Sequence, residues 1–466
     1  MPHLRLLPLL SLLACAGAGP KPADSGPPAG PREAPWSPGG VASAELQGAR
    51  GTQIRRAIVH LHSPWSHDAC DGEPLPDGRP DAACLEDLRE GLCAAQIDVA
   101  WLTDHPAHAA AQPYADRLHV DPARDTRVQV GGVDAAARWA CGDGRSVLLR
   151  PGFEDELMPA GMAAPLHADP AEEERIANEY TPEAVGQMAA VGALPLIAHT
   201  EARDLDQLRA LVSAGVVGVE LFNLHAAFDP DIRAEHLGLS PLGWVEQLGP
   251  FTDLSSGVEP DLLVLTVLAE QEPSVSRWDA LQDLGRVVGT VGTDAHQNVL
   301  PSALADGERA DSYRRMLRWL SQHIQVPAGE DADDPAVLQA ALAAGRFAVV
   351  FEILGTPEGW DLTLEQADGS VALPGDEGGA GTLRVTCPRL AVGSPRSVEE
   401  PEITAVVFKD GAPWAEGCGA FPTNGPGAYR VRFDITPVHL RPFLGADPDP
   451  WLLRRPWVYT QHIRLR

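Results

Sequence analysis

Positive charge is scarce in this chain: Lys and Arg together number 36 against 65 Asp and Glu, a formal net charge of −29. That balance argues against a surface built to track a nucleic-acid backbone. Long apolar runs are missing too. Without a stretch of about 18 uncharged apolar residues, a membrane-spanning helix is excluded. Cysteine is sparse, at 7 residues, and no C-x-x-C spacing points to a thiolate zinc site. Neither a Walker-type glycine loop nor a G-x-S-x-G elbow occurs, which leaves nucleotide-cradling and serine-hydrolase chemistry without support. What is present is 44% apolar residues in a chain of 466, enough for two or three domains with at least one large core.

The first apolar run covers residues 6–14, after the single cation Arg5, and ends in Leu12-Leu13-Ala14-Cys15. It is too short to span a bilayer and resembles a lipoprotein signal peptide (residues 1–14), with Cys15 as the lipid-bearing first residue. An ordinary secretory signal cleaved after Ala-Gly-Ala is the alternative. Either version places the protein outside the cytoplasm, and the first attaches it to a bacterial membrane, periplasmic or at the cell surface. Residues 15–50 are rich in Pro, Gly, Ala and Ser, which suits a flexible tether. Beyond Cys15 stand Cys70, Cys84, Cys93, Cys141, Cys387 and Cys418, an even set consistent with disulfides in an oxidising compartment. Cys387 with Cys418 is the favoured pair.

From residue 51 to 345, β-rich runs alternate with helical patterns, the texture of an α/β barrel or layered α/β domain. Strands are expected over 58–62, 99–102, 196–198, 216–222 and 287–293. Leu85, Leu88 and Leu92 mark one helix. Thr181 caps another that has Pro182 at its first position, Leu205, Leu208 and Val212 lie on a third stopped by Gly215, and a helical region is expected around 262–284. Residues 346–466 switch to short alternating runs with Asp368-Gly369 and Asp410-Gly411 as hairpin turns, the pattern of a small β-sandwich.

The chemistry gathers at the strand ends. His60 and His62 alternate onto one face, where paired imidazoles can chelate a metal. Asp294-Ala295-His296 repeats that spacing. His105 ends one strand, Glu154 follows Arg150-Pro151-Gly152-Phe153, and His199 ends Leu196-Ile197-Ala198. Strand C-terminal ends are where α/β barrels place active sites. Imidazoles mixed with carboxylates suit zinc, manganese or iron, whereas magnesium or calcium would take mostly oxygen ligands.

In order, His60-Leu61-His62-Ser63-Pro64-Trp65-Ser66-His67-Asp68, Leu102-Thr103-Asp104-His105, Pro151-Gly152-Phe153-Glu154, Ala198-His199 and Gly292-Thr293-Asp294-Ala295-His296 resemble the motifs of the PHP (polymerase and histidinol phosphatase) superfamily of metal-dependent phosphoesterases. The resemblance runs from about residue 55 to 345. It implies a distorted (β/α)7 TIM-like barrel holding two or three divalent ions. His60, His62, Glu154 and Asp294 would take one ion, with Glu154 bridging to a second that His199 also binds. His105 and His296 would take a third, together with His67 or Asp68, Asp68 being favoured. His225 is a candidate for a further ligand, a place an asparagine or water could also fill. Glu154, Asp294 and His296 would be the catalytic set. Val59 departs from the family, which often has Asp there, and the segment from Cys70 to Cys84 is an added loop near the site mouth.

Glu220 and Asp104 are candidate partners orienting imidazoles. Arg203 is read either as a phosphate contact or as half of an ion pair. His108, His119, His167, His236, His323 and His462 are read as ordinary hydrogen-bonded histidines, and Trp451, Trp457 and Tyr459 as packing. The expected function is hydrolysis of a small phosphomonoester or phosphodiester by clustered metals and an activated water. A metal-bearing binding protein and a hydrolase of a non-phosphate bond are the alternatives.

Overall fold

A computed structural model describes residues 41–391 and 399–466. The signal, Cys15 and the expected tether up to residue 40 lie outside them. Residues 41–51 contain two short 3-10 turns, Ser43–Glu45 and Ala49–Gly51, and Leu46 is buried with Ile54 and Ala391. Among the described residues no helix is long and apolar enough to cross a membrane.

The architecture is mixed α/β with several sheets. β1 (Gln53–Ile58) and β2 (Val99–Leu102) run parallel, connected through the helix Ala82–Ala94. Asp81 starts that helix by accepting the amides of Ala83 and Cys84, and Leu88 and Leu92 bury its inner face. β3 (Thr126–Val130) and β4 (Val133–Ala140) make a hairpin that leads into β5 (Ser146–Pro151), which lies parallel to β2. A second sheet holds β6 (Met158–Ala160), β7 (Leu194–Ile197), β8 (Gly218–Asn223) and β9 (Val288–Gly292), the last three parallel. Two single bridges, Gly152 to Ala160 and Leu61 to Ala295, connect the groups.

The helix Pro182–Ala190 is capped by the Thr181 side chain on the amide of Ala184. The helix Leu205–Ala214 starts at Asp204 and stops at Gly215, whose φ of 120° is open to glycine. Two expectations shift. The region 262–284 divides into a 3-10 segment Pro260–Thr266 and a helix Glu272–Leu281. Between them Gln271 binds the backbone of Asn223 through both amide atoms (3.0 and 2.7 Å), which draws the chain onto β8 and interrupts the helix. The first strand ends at Ile58 rather than 62, because residues 60–62 bond to neighbouring loops: Asp294 N and Thr293 Oγ1 donate to His60 O, and Thr103 N donates to Leu61 O.

β10 (Ser321–Val326) pairs antiparallel with β1, and β11 (Phe347–Val350) with β10. The other edge of β11 receives Arg455–Thr460, followed by Gly427–Thr436 and Glu402–Lys409. Main-chain pairing therefore runs across the boundary expected at 345. Asp361–Gln366, Gly381–Thr386 and Gly419–Pro422 join Val371–Ala372 in a separate four-stranded sheet. Asp410 (φ 51°) and Gly411 (φ 79°) turn the hairpin between Glu402–Lys409 and Ala412–Glu416. The disulfides are Cys70–Cys84, Cys93–Cys141 and Cys387–Cys418.

Candidate metal centre

Every parallel strand of the two groups delivers a site residue just past its C-terminal end. The chain after β1 brings His60, His62 and Asp68, β2 brings His105, β5 brings Glu154, and β7 brings His199. β8 brings His225, and β9 brings Asp294 and His296. His199 (φ 51°) and Asp294 (φ 48°) adopt the left-handed region, a costly conformation for residues with a Cβ that persists where the surroundings over-determine it.

His60 Nε2 lies 3.1 Å from His62 Nε2, and Asp294 Oδ1 lies 3.3 and 3.1 Å from the two. Donors bound about 2.0–2.1 Å from one tetrahedral ion stand about 3.3–3.4 Å apart, so this triangle has the edge of a metal face. His60, Glu154 and His199 form a second group, with His199 Nε2 at 3.5 Å from Glu154 Oε1. His62, His105 and His296 form a third. Asp68 Oδ2 lies 3.6 Å from His105 Nε2 and 3.4 Å from His296 Nε2. Asp68 thus faces that pair, while the His67 ring sits beside His105 (5.0 Å between centroids) and reaches the cluster through Asp68 and His105. His225 Nδ1 is 3.9 Å from Asp294 Oδ2 and groups with Asp294 and His296.

The imidazole orientations are set from behind. His60 Nδ1–H donates to Glu220 Oε1 (2.9 Å), His105 Nδ1–H to the carbonyl of Glu154 (2.9 Å), and His296 Nδ1–H to the carbonyl of Asp294 (2.8 Å). Those oxygens only accept, so each ring keeps a proton on Nδ1 and turns its Nε2 to the cluster. His62 Nδ1 pairs with Ser66 Oγ at 2.7 Å. Glu220 also accepts the amide of His199 and the side-chain amide of Asn223, both at 3.0 Å. Asn223 Nδ2 reaches Asp294 Oδ2 as well (3.2 Å), and its Oδ1 caps the helix Leu224–Phe228. Asn223 is thus committed as a brace. Asp104 accepts from Ser63 N and Ser63 Oγ and fixes the turn after His62.

The buried carboxylates and imidazoles bias one another's protonation. Burial opposes charging of His60, but Asp294 and Glu220 outweigh it and hold its pKa well above the ordinary range. His105 is raised to about 10 against burial by Glu154 and Asp68, and His199 to about 9 by Glu201 and Asp294. Burial, then His296, pushes His62 well down. Burial raises Glu154, whereas Asp294 is held low by His60 and His296 despite burial. Burial lifts Asp104 to about 7.

The donor set fits divalent ions. Glu154 Oε2 and His296 Nε2 are buried without a well-aligned hydrogen bond, Oε2 lying 3.1 Å from His105 Nδ1 and Nε2 3.4 Å from Asp68 Oδ2. A proton or a metal must sit among the facing Nε2 and carboxylate atoms, since lone pairs about 3 Å apart repel.

Arg203 makes an ion pair with Glu156 and stacks 5.1 Å over Tyr180. His323 pairs with Glu352, His462 with Asp279, and His119 Nε2 lies 2.8 Å from Ser63 Oγ. Trp451, Trp457 and Tyr459 are buried in the large core. The residues that sequence reasoning passed over are Ser66 and Glu201. The first was quoted only as part of a motif, and the second stands two positions past His199, where its carboxylate lies 3.5 Å from His199 Nδ1.

No family model and no curated protein matches this chain. Among solved structures, the crystal structure of PsfC from Pseudomonas syringae PB-5123 aligns with a TM-score of 0.34 at 14% identity, covering 64% of this chain and 91% of that one. A superposition that loose carries no argument about fold or function.

Proposed function

We propose that this protein is a metal-dependent hydrolase of small phosphomonoesters or phosphodiesters, of the PHP type, exported and anchored through lipid on Cys15. One observation carries the reading: His60, His105 and His296 commit Nδ1 to protein acceptors while their Nε2 atoms crowd against Asp294, Glu154 and Asp68. Protein-anchored imidazoles aimed at carboxylates are the arrangement of a metal centre with its outer partners. Bound zinc, manganese or iron would acidify water and offset the charge on a phosphoryl group. Glu154 and Asp294 would each offer oxygens to more than one ion, and His296 would hold the third group beside Asp68. The single bridges Leu61–Ala295 and Gly152–Ala160 favour a distorted (β/α)7 barrel as the scaffold, with the site at its C-terminal face.

The test is elemental analysis of the purified protein together with a panel of phosphomonoesters, phosphodiesters and carboxylic esters. Two or three ions per chain with turnover of phosphoesters is the expected result. Ions without turnover of any ester would instead favour a binding protein, and a chain that takes up no ion would end the reading.

A further inference from the structure

Asp68 differs from its partners in how it is held. His105, Glu154, His199, Asp294 and His296 all follow strands closely, whereas Asp68 lies six residues past His62 in a stretch with neither helix nor strand. Its side chain is 34% exposed, yet its Oδ2 faces both His105 and His296.

What fixes this stretch is a cross-braced junction. Cys70 N donates to His296 O and Asp71 N to Gln297 O, both at 2.9 Å, and Asn298 Nδ2 donates to Asp68 O at 2.8 Å. Arg309 grips the Asp71 carboxylate with both terminal nitrogens and also donates to Gln297 O (3.1 Å). Cys70 (φ 55°), Asp71 (φ 59°) and Gln297 (φ 58°) are all left-handed. Such backbone persists only where the surroundings impose it. Two residues from Asp68, Cys70 is bonded to Cys84, which lies buried in the first turn of the helix Ala82–Ala94. That helix is packed into the core through Leu88 and Leu92, so the disulfide ties a ligand-bearing loop to a rigid body. Opening it would remove the covalent closure of a loop of 14 residues' separation and leave only the hydrogen bonds and the Arg309–Asp71 pair to hold Asp68.

We propose that the Cys70–Cys84 disulfide is a positioning element of the metal centre: it holds Asp68 over His105 and His296 and thereby governs occupancy of that third group, leaving the other two groups intact. The inference rests on the metal-centre reading above and adds a dependence of one ion on one cross-link.

The experiment compares the full chain with a Cys70→Ser/Cys84→Ser variant and, as reference, a Cys93→Ser/Cys141→Ser variant. Ions per chain are counted and the weakest Zn2+ site is titrated. The first variant is expected to lose one ion per chain, or to bind it at least about 10-fold more weakly, with unchanged far-UV circular dichroism. The reference variant should keep the ion. Adding Asp68→Ala to the first variant should cost nothing further, which a merely structural role of the disulfide would not produce. Full ion count and affinity in the Cys70/Cys84 variant would overturn the proposal. Should that variant not fold, the wild-type protein is reduced with a phosphine under native conditions and alkylated. Loss of one ion with Cys70 and Cys84 alkylated supports the proposal, and an unchanged count overturns it. A wild-type chain holding no ion overturns the metal centre itself, whereas ions in the wild type with no change in the variants overturn this inference alone.

Discussion

Glu220 lies directly against the bare α-carbon of Gly292, leaving no room for a Cβ between its Oε1 and that backbone. The same Oε1 accepts the Nδ1–H of His60, so the glycine at the end of β9 sets the aim of a candidate ligand on the chain after β1. Gly292→Ala should displace Glu220 and lower metal affinity by about 10–100-fold, with the fold retained. Metal titration beside circular dichroism checks it. Undiminished affinity would show that Glu220 has another way to orient His60.

The carboxylates should rank by their contact with the ions. Glu154→Gln removes a charge that offsets repulsion between neighbouring cations, and Asp294→Asn removes one shared by the His60, His62 and His225 groups. Each is expected to lose at least one ion together with phosphoester turnover. Glu220→Gln should weaken binding only about 10–100-fold. Elemental analysis and turnover of the three variants give the order, and a fully loaded, fully active Glu154→Gln protein would require the cluster to be rebuilt on other carboxylates.

Asp279, on the helix Glu272–Leu281, receives two bonds from Arg430 and one from His462, each 2.7–2.8 Å. Burial alone would raise its pKa, but Arg430 and His462 bring it below the usual carboxylate range. A depressed native pKa means that the unfolded chain binds the proton more readily. The contribution is therefore complete above about pH 4 and is lost as pH falls below that value. Asp279→Asn strands a buried guanidinium and should cost about 3–5 kcal/mol at pH 7. Urea denaturation across pH reads this as a wild-type advantage that shrinks on acidification, and an advantage independent of pH would contradict the assignment.

For the amino-terminal segment the expected mature protein starts at Cys15 and carries acyl chains. Intact-mass spectrometry of the membrane fraction tests this. A species that retains Met1, or a mature form without lipid, removes the anchor from the proposal.

The sequence by itself determined the identity and order of the metal-centre candidates. Residues at strand ends are legible because strand signals are local: alternation, β-branched runs, and caps such as Thr181 with Pro182 and the Gly215 stop. The Asp410-Gly411 turn is legible for the same reason, since positive φ selects residue type. Tertiary structure alone decided which partner stands behind each imidazole, because Glu220 reaches His60 across 160 positions and the carbonyls of Glu154 and Asp294 carry no residue-type signal. It also set Asp68 Oδ2 toward both His105 and His296 with the His67 ring beside His105, a relation among neighbouring residues that local pattern cannot give. The joining of β11 to Arg455–Thr460 was equally out of reach, because pairing between strands about a hundred residues apart depends on which sheet edge is left open once the chain has packed.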